Sequence, residues 1–168
     1  MVKTNSPYSL VRKKGAYLNV PNTIIVDLDG TLADVEHRLH FLKGATKDWD
    51  GFFGACSDDR PIWPVINMVN FLSVGMGENG RVLIFSGRSN SVQEKTEAWL
   101  SRYVSFDYEL VMRAKSDHRP DYLVKKDFTT EMGLTPADIL CIIDDRRSVV
   151  EMWRREGFTC LQVADHDF

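Results

Sequence analysis

Long apolar runs are what this chain most plainly lacks. No stretch of its 168 residues approaches the roughly 20 consecutive apolar residues that span a bilayer. The first twenty, MVKTNSPYSLVRKKGAYLNV, carry basic groups but no apolar core of a secretory signal. Both absences set the expectation of a soluble, cytoplasmic protein with no membrane partner. Cysteine is scarce: Cys56, Cys141 and Cys160 form no CxxC pair. The last two fall inside apolar runs, where a reduced thiol behaves as a small hydrophobe, so disulfide and zinc readings carry little weight. His37 and His40 are three apart without further ligands at suitable spacing, and they read as helix-surface groups or supports for a neighbouring site. Net charge is only −3, which argues against coating nucleic acid by bulk electrostatics. The sign is uneven, however, since Lys3, Arg12, Lys13 and Lys14 have no acid among the first twenty residues. Residues 1–22 therefore form a basic leader, read as a solvated tail or leading strand ahead of a contact to phosphates. No internal repeat, low-complexity linker or GxxxxGK[ST] phosphate loop occurs, so no ATP-dependent kinase module is visible.

What is there is alternation. Apolar runs at residues 23–26, 81–85, 108–112, 139–143 and 160–163 predict strands. Helical periodicity between them predicts helices over 64–74, 91–103, 122–132 and 147–156, with Pro64 in a first turn and Gly133 and Gly157 as stops. This pattern predicts an α/β fold, a five-stranded, mostly parallel sheet with helices on both faces. The first two strands are more than fifty residues apart, too far for one crossover helix. An insertion over about 35–64, rich in turns and aromatics (DWDGFFGACSDDRPIWP), is expected to form a small cap above the sheet. Trp49, Phe52, Phe53 and Trp63 are expected mostly to cover the sheet, with stacking on a terminal base as the alternative. On 147–156, Val149, Val150, Met152 and Trp153 should pack inward, while Arg154 and Arg155 favour the helix C-terminus or touch a polynucleotide backbone.

Four motifs land at element ends compatible with one crevice. DLDGTLAD at 27–34 follows the first apolar run and sets Asp27 and Asp29 two apart on a Gly-containing loop, at the carboxyl end of a strand where open α/β sheets bind ligands. FSGRS at 85–89 ends the second run with Ser86, Gly87 and Arg88, a hydroxyl, backbone N–H groups and a guanidinium suited to phosphate oxygens. In RPDYLVKKDF, Asp121 and Lys125 lie four apart on one helix face after Pro120, whereas Lys126 points about 100° away. IIDDRR places Asp144 and Asp145 together after an apolar strand, a costly pair without a cation. Asp121 is also a candidate N-cap, Asp145 a candidate cap for the following helix, and Arg38 a surface arginine.

Phosphate-monoester hydrolysis is very slow uncatalysed, so it demands a positioned nucleophile and dense positive charge. In the expected chemistry Asp27 attacks phosphorus to give an aspartyl-phosphate, and Asp29 protonates the leaving alkoxide and then activates water. Mg2+ would be held by Asp27, Asp144 and Asp145, with Asp29 contributing its backbone carbonyl. Lys125 and Ser86 would stabilise the equatorial oxygens, while Arg38 and Arg88 grip the phosphate.

DxDGT, SGR, a lysine and DD in this order resemble the haloacid dehalogenase (HAD) superfamily, whose Rossmann-like fold agrees with the strand pattern. Within it, IIDDRRSVVEMWRREGFTCLQVADHDF, DWDGFF, SGR and the Asp121–Lys125 pair resemble the 3′-phosphatase domain of bacteriophage polynucleotide kinase. The likeness spans residues 23–168. It implies a Mg2+-dependent polynucleotide 3′-phosphatase, removing 3′-phosphates, with 2′,3′-cyclic ends as a further substrate, from DNA or RNA. By motif it carries functional roles onto Asp27, Asp29, Arg38, Ser86, Arg88, Asp121, Lys125, Asp144 and Asp145. A separate kinase or ligase stands as a candidate partner; the phage domain is joined to a P-loop kinase that this sequence does not show, so end-healing by both activities is not expected. Two other readings stand beside it: a nucleotidase acting on free nucleoside monophosphates, favoured by a closed lid, and an end-binding subunit without turnover.

Overall fold

A computed structural model describes residues 21–43 and 45–166; nearly all of the basic leader therefore lies outside the described residues. Five strands form the main sheet: β1 (Thr23–Asp27), β4 (Arg81–Ser89), β5 (Glu109–Arg113), β6 (Ile139–Arg146) and β7 (Cys160–His166). Two short strands, β2 (Ala33–Asp34) and β3 (Arg60–Pro61), pair antiparallel outside it. The helices are α1 (Trp49–Gly54), α2 (Trp63–Met76), α3 (Gln93–Tyr103), α4 (Asp121–Glu131) and α5 (Arg147–Arg155). The strand order is β5-β4-β1-β6-β7 and every neighbouring pair is parallel, as the apolar runs predict.

Period-2 alternation sorts the core into two layers. On one face Ile24, Val26, Val82, Ile84 and Ile143 meet Val65, Ile66 and Val69 of α2 and Trp99 and Leu100 of α3. On the other, Ile25, Leu83, Phe85 and Ile142 meet Val149, Val150, Met152 and Trp153 of α5, the inward set expected for that helix. Burying each such large side chain contributes about 1.5–3 kcal/mol. Trp63, by contrast, is 50% exposed, and neither layer contains Trp49, Phe52 or Phe53. The aromatics of the insertion thus do not cover the sheet, because Val65, Ile66 and Val69 of α2 and Trp99 and Leu100 of α3 already fill that face.

Helix ends follow backbone chemistry. Pro64 sits in the first turn of α2, and Gly77, Gly133 and Gly157 adopt positive φ where α2, α4 and α5 stop. The strand ends differ from the sequence expectation. β4 and β6 run on through SGRS and DDR, because β5 and β7 keep pairing with them after register shifts between Ser86 and Ser89 and between Asp144 and Arg146. Such bulges re-aim side chains at a sheet rim, and here they fall on two of the three motifs that follow apolar runs, SGRS and DDR. Between β1 and α2 the chain forms a 3-10 helix (Glu36–Leu42), then α1, then a 3-10 turn (Cys56–Asp58).

Candidate active site

β1 has β4 on one side and β6 on the other, and the connections leave it in opposite directions, so its carboxyl end opens a crevice. Asp27 ends β1 there. The chain must then turn sharply, and Gly30 takes φ +88°; a Cβ at that position would collide with the carboxylate of Asp145. Close approach of the two loops is thereby built into one glycine.

Lys125 is the hub. It lies in α4, whose first residue is Asp121 and whose N-cap is Pro120, so Asp121 does not cap the helix but stacks one turn below Lys125. The Lys125 ammonium donates to Asp27 Oδ1 (2.6 Å) and Asp144 Oδ2 (2.9 Å) and lies 3.3 Å from Asp121 Oδ2. Burial would depress its pKa most, but Asp121, Asp144 and Asp27 together hold it well above the ordinary lysine value. Burial, with Asp144 and Asp145 nearby, raises Asp27 well above the carboxylate range, Lys125 notwithstanding. Asp144 is raised likewise by burial, against the pull of Lys125. Asp145 does not cap α5 either: it accepts from Thr31 Oγ1 (2.9 Å) and meets His166 Nδ1 (2.8 Å).

Among the described residues, one group suits a metal ion: Asp27, Asp144 and Asp145 each bring a buried carboxylate oxygen within 4.8 Å of the others. An all-oxygen donor set of this charge fits a hard cation such as Mg2+. The Asp29 side chain stands apart from that group.

Asp29 belongs instead to a second, buried network. Arg38 Nη2 and Arg88 Nε both donate to its Oδ1 at 2.7 Å. The same two arginines converge on Asp59: Arg38 Nε and Nη2 at 2.7 Å, Arg88 Nη2 at 2.6 Å, with His37 Nε2 at 2.8 Å. Burial would raise Asp29, but Arg88 and Arg38 outweigh it and hold the carboxyl at about 2. Burial also pushes Asp59 upward, although Arg38 bonds to it directly. Arg38 and Arg88 are fully enclosed and absent from the cleft wall, which alters the expectation that they grip phosphate. Their guanidinium forks are committed to two carboxylates, and their evident effect is to fix Asp29. Ser86 is enclosed too, its Oγ accepting from the Arg88 N–H at 3.2 Å, while Gly87 lies on the cleft. A Cβ on Gly87 would collide with Asp121.

Asp59 and Arg113 are among the residues of this assembly that the sequence reading did not single out. Asp59 follows Asp58 in a turn, and nothing in the string separates the buried acid from its exposed neighbour. Arg113, ending β5, donates to Gly87 O (2.9 Å), Arg119 O (2.5 Å) and Asp121 Oδ1 (2.9 Å), tying three site segments together.

Above Asp27 and Asp29 the cleft encloses about 1060 Å3. Its lining includes Lys47, Trp49 and Phe53 from the insertion, Lys115, His118 and Arg119 from the loop after β5, and Arg146. Trp49, Lys47, Lys115, His118 and Arg119 are exposed. No helix among the described residues is long and apolar enough to cross a membrane.

This geometry has known counterparts. A polynucleotide kinase/RNA ligase candidate of Autographa californica nuclear polyhedrosis virus, so named as a proposal, is 28% identical over 135 residues, 80% of this chain and 18% of that protein. Two structures of a Pnkp1/Rnl/Hen1 complex, one of them an RNA repair complex, align at TM-scores of 0.69 and 0.71 with 32% and 29% identity. They cover 89% and 94% of this chain and 48% and 47% of theirs. A haloacid dehalogenase-like hydrolase from Streptococcus pneumoniae shares the fold alone, at TM-score 0.56 and 15% identity over 84% of this chain and 83% of its own. The chain thus spans less than a fifth of the viral relative and about half of the chains in the complex. Residues 21–168 match the family described as the polynucleotide kinase PNKP phosphatase domain, and the chain belongs to that family of HAD-fold phosphatases.

Proposed function

We propose that this phosphatase hydrolyses 3′-phosphate ends of DNA or RNA through an aspartyl-phosphate on Asp27, with Mg2+ as cofactor. The observation that carries the reading is the contact of Asp27 with Lys125 inside a three-carboxylate cluster, two residues from an acid held ionised by paired arginines. Asp27 attacks phosphorus as its ester bond to the leaving alkoxide breaks, and Lys125 neutralises charge on the transferring phosphoryl group. Asp29 takes up a proton from solvent and donates it to the alkoxide. Approach of a dianionic phosphate raises its affinity for that proton, against the arginines. Once the alkoxide leaves, Asp29 is again ionised and takes a proton from the water that opens the acyl phosphate. Asp27, Asp144 and Asp145 would hold Mg2+, which supplies charge screening between nucleophile and substrate.

An open cleft with exposed cations on its rim suits a strand end better than a free nucleotide enclosed under a lid. The likeness to chains of an RNA repair complex favours RNA ends and an associated kinase or ligase as the setting. The test is Mg2+-dependent phosphate release from a 3′-phosphorylated oligonucleotide, its 5′-phosphorylated isomer and a 3′-nucleoside monophosphate, with Asp27→Asn as control. Preference for the 3′-phosphorylated strand, lost in the variant, is expected. Turnover of the mononucleotide alone would make the protein a nucleotidase, and turnover of none would leave an end-binding subunit.

A further inference from the structure

The cleft has two chemically different walls, and the proposed phosphoryl transfer uses neither. One is aromatic. Trp49 and Phe53 line it with ring centroids 5.8 Å apart and planes 28° from parallel. Trp49 is 42% exposed, an unusual state for the largest apolar side chain beside a well-filled core. The shelf is anchored rather than loose: Trp49 meets Phe52 edge-on at 5.9 Å, and the buried Phe52 ring lies 4.1 Å beneath the Arg38 guanidinium that holds Asp29. Asp48 caps the same short helix by accepting from the Gly51 N–H at 2.8 Å. The shelf is therefore fixed in register with the acid at the cleft floor. Lys47 adds a cation 5.4 Å from the Trp49 ring.

The other wall is polar and basic. Lys115, His118 and Arg119 are exposed on the loop between β5 and α4. Arg119 is engaged by Asp117 and Asp127, whereas Lys115 makes no ion pair among the described residues; its backbone N–H is pinned by Asn90 Oδ1 at 3.0 Å. Phosphate reacting at Asp27 thus shares its cleft with a π surface and a free ammonium. At about 1060 Å3 the space slightly exceeds the roughly 300–1000 Å3 of pockets that enclose one small ligand. Stacking on an aromatic face requires a base with a free face, and a positive flank that tracks the backbone accompanies such platforms in single-strand binders.

Resting on the phosphatase reading, we propose that Trp49 and Phe53 stack the 3′-terminal nucleobase of a single strand while Lys115 contacts the phosphate on its 5′ side. Recognition is then indifferent to base identity and requires an unpaired terminal nucleotide. Trp49 and Lys115 are specificity-determining residues: neither touches the reacting atoms.

The test is binding by the full chain carrying Asp27→Asn, followed by anisotropy of a 5′-labelled, 3′-phosphorylated oligonucleotide. A matched strand whose 3′-terminal sugar lacks its base serves as comparison. With Trp49 present, the intact end binds about 5- to 160-fold tighter than the abasic end. With Trp49→Ala that ratio collapses toward one, and Trp49→Phe restores most of it. Lys115→Ala weakens both ends and flattens the salt dependence of binding. Equal losses for both ends in Trp49→Ala would overturn the stacking assignment, as would an abasic end bound as tightly as an intact one. A salt slope unchanged in Lys115→Ala would overturn its phosphate contact. Phosphate release by the Asp27 protein distinguishes the two levels: Trp49-dependent binding without turnover would sink the phosphatase reading and leave the strand site standing. Turnover with no Trp49-dependent binding would do the reverse.

Discussion

Asp59→Asn is the substitution in which the buried architecture of this site becomes measurable. Asp59 is 2% exposed, and Arg38 and Arg88, which it bridges, are fully buried. It accepts three guanidinium N–H bonds at 2.6–2.7 Å and meets His37 at 2.8 Å. Asparagine has nearly the same shape but no charge, and its amide nitrogen donates toward groups that only donate. Two enclosed cations would then share Asp29 alone. Breaking a buried ion pair by removing one partner costs about 3–5 kcal/mol. Against a total stability of about 5–15 kcal/mol this is severe, and for a domain of this size it lowers Tm by roughly 6–20 °C. The exposed neighbour Asp58 is the control, since Asp58→Asn should stay within about 0.5 kcal/mol. Activity should fall too, measured below the variant's unfolding range, because Arg38 and Arg88 would shift toward Asp29; misplacing a reacting group by about 1 Å costs about 100-fold. Thermal unfolding by circular dichroism and phosphate release are the two assays. A loss under about 1 kcal/mol, or one matched by Asp58→Asn, would refute the bridging role.

Three further outcomes are expected. Saturating Mg2+, at about 100 times its Kd, should stabilise the protein by about 2.7 kcal/mol relative to NaCl of equal ionic strength, and Asp145→Asn should abolish most of that gain in thermal unfolding; an Mg2+-insensitive Tm would remove the metal assignment. Gly30→Ala should cost about 1–2 kcal/mol for left-handed backbone alone and weaken Mg2+ binding by displacing Asp145, whereas unchanged stability in denaturant titration would show that the loop relaxes freely. Burial pushes the Cys160 thiol up to about 12. An unfolded chain ionises the thiol near 8.5, so stability should fall as pH rises from there toward 12, less steeply in Cys160→Ala. Alkylation of folded protein at pH 8.5 should therefore be slow, and rapid modification of Cys160 would contradict its burial.

The sequence alone determined the layered fold and the composition of the crevice. Period-2 and 3.6-residue patterns are local: they put Ile24 and Ile25 on opposite faces of one strand and Trp153 on the inward face of its helix, while the choice of which helix meets which face belongs to the tertiary packing. DLDGT, SGR, the Asp121–Lys125 pair and DD each sit where an apolar strand ends or a helix begins, so chain topology brings them together. Tertiary structure decided which partners each charge takes. Asp59 and Asp58 are equivalent as text; only folding of the insertion over Trp99, whose Nε1–H donates to Asp59 O at 2.8 Å, buries one and leaves the other in water. Arg38 and Arg88 read as phosphate ligands because a guanidinium in a crevice suits an anion. They are turned to Asp29 and Asp59 because charges enclosed at that depth must be paired within the protein. Trp49 was likewise free to cover the sheet by composition. It lines the cleft because α2 and α3 already fill that face, and only the packing of the whole chain fixes how much of a face remains.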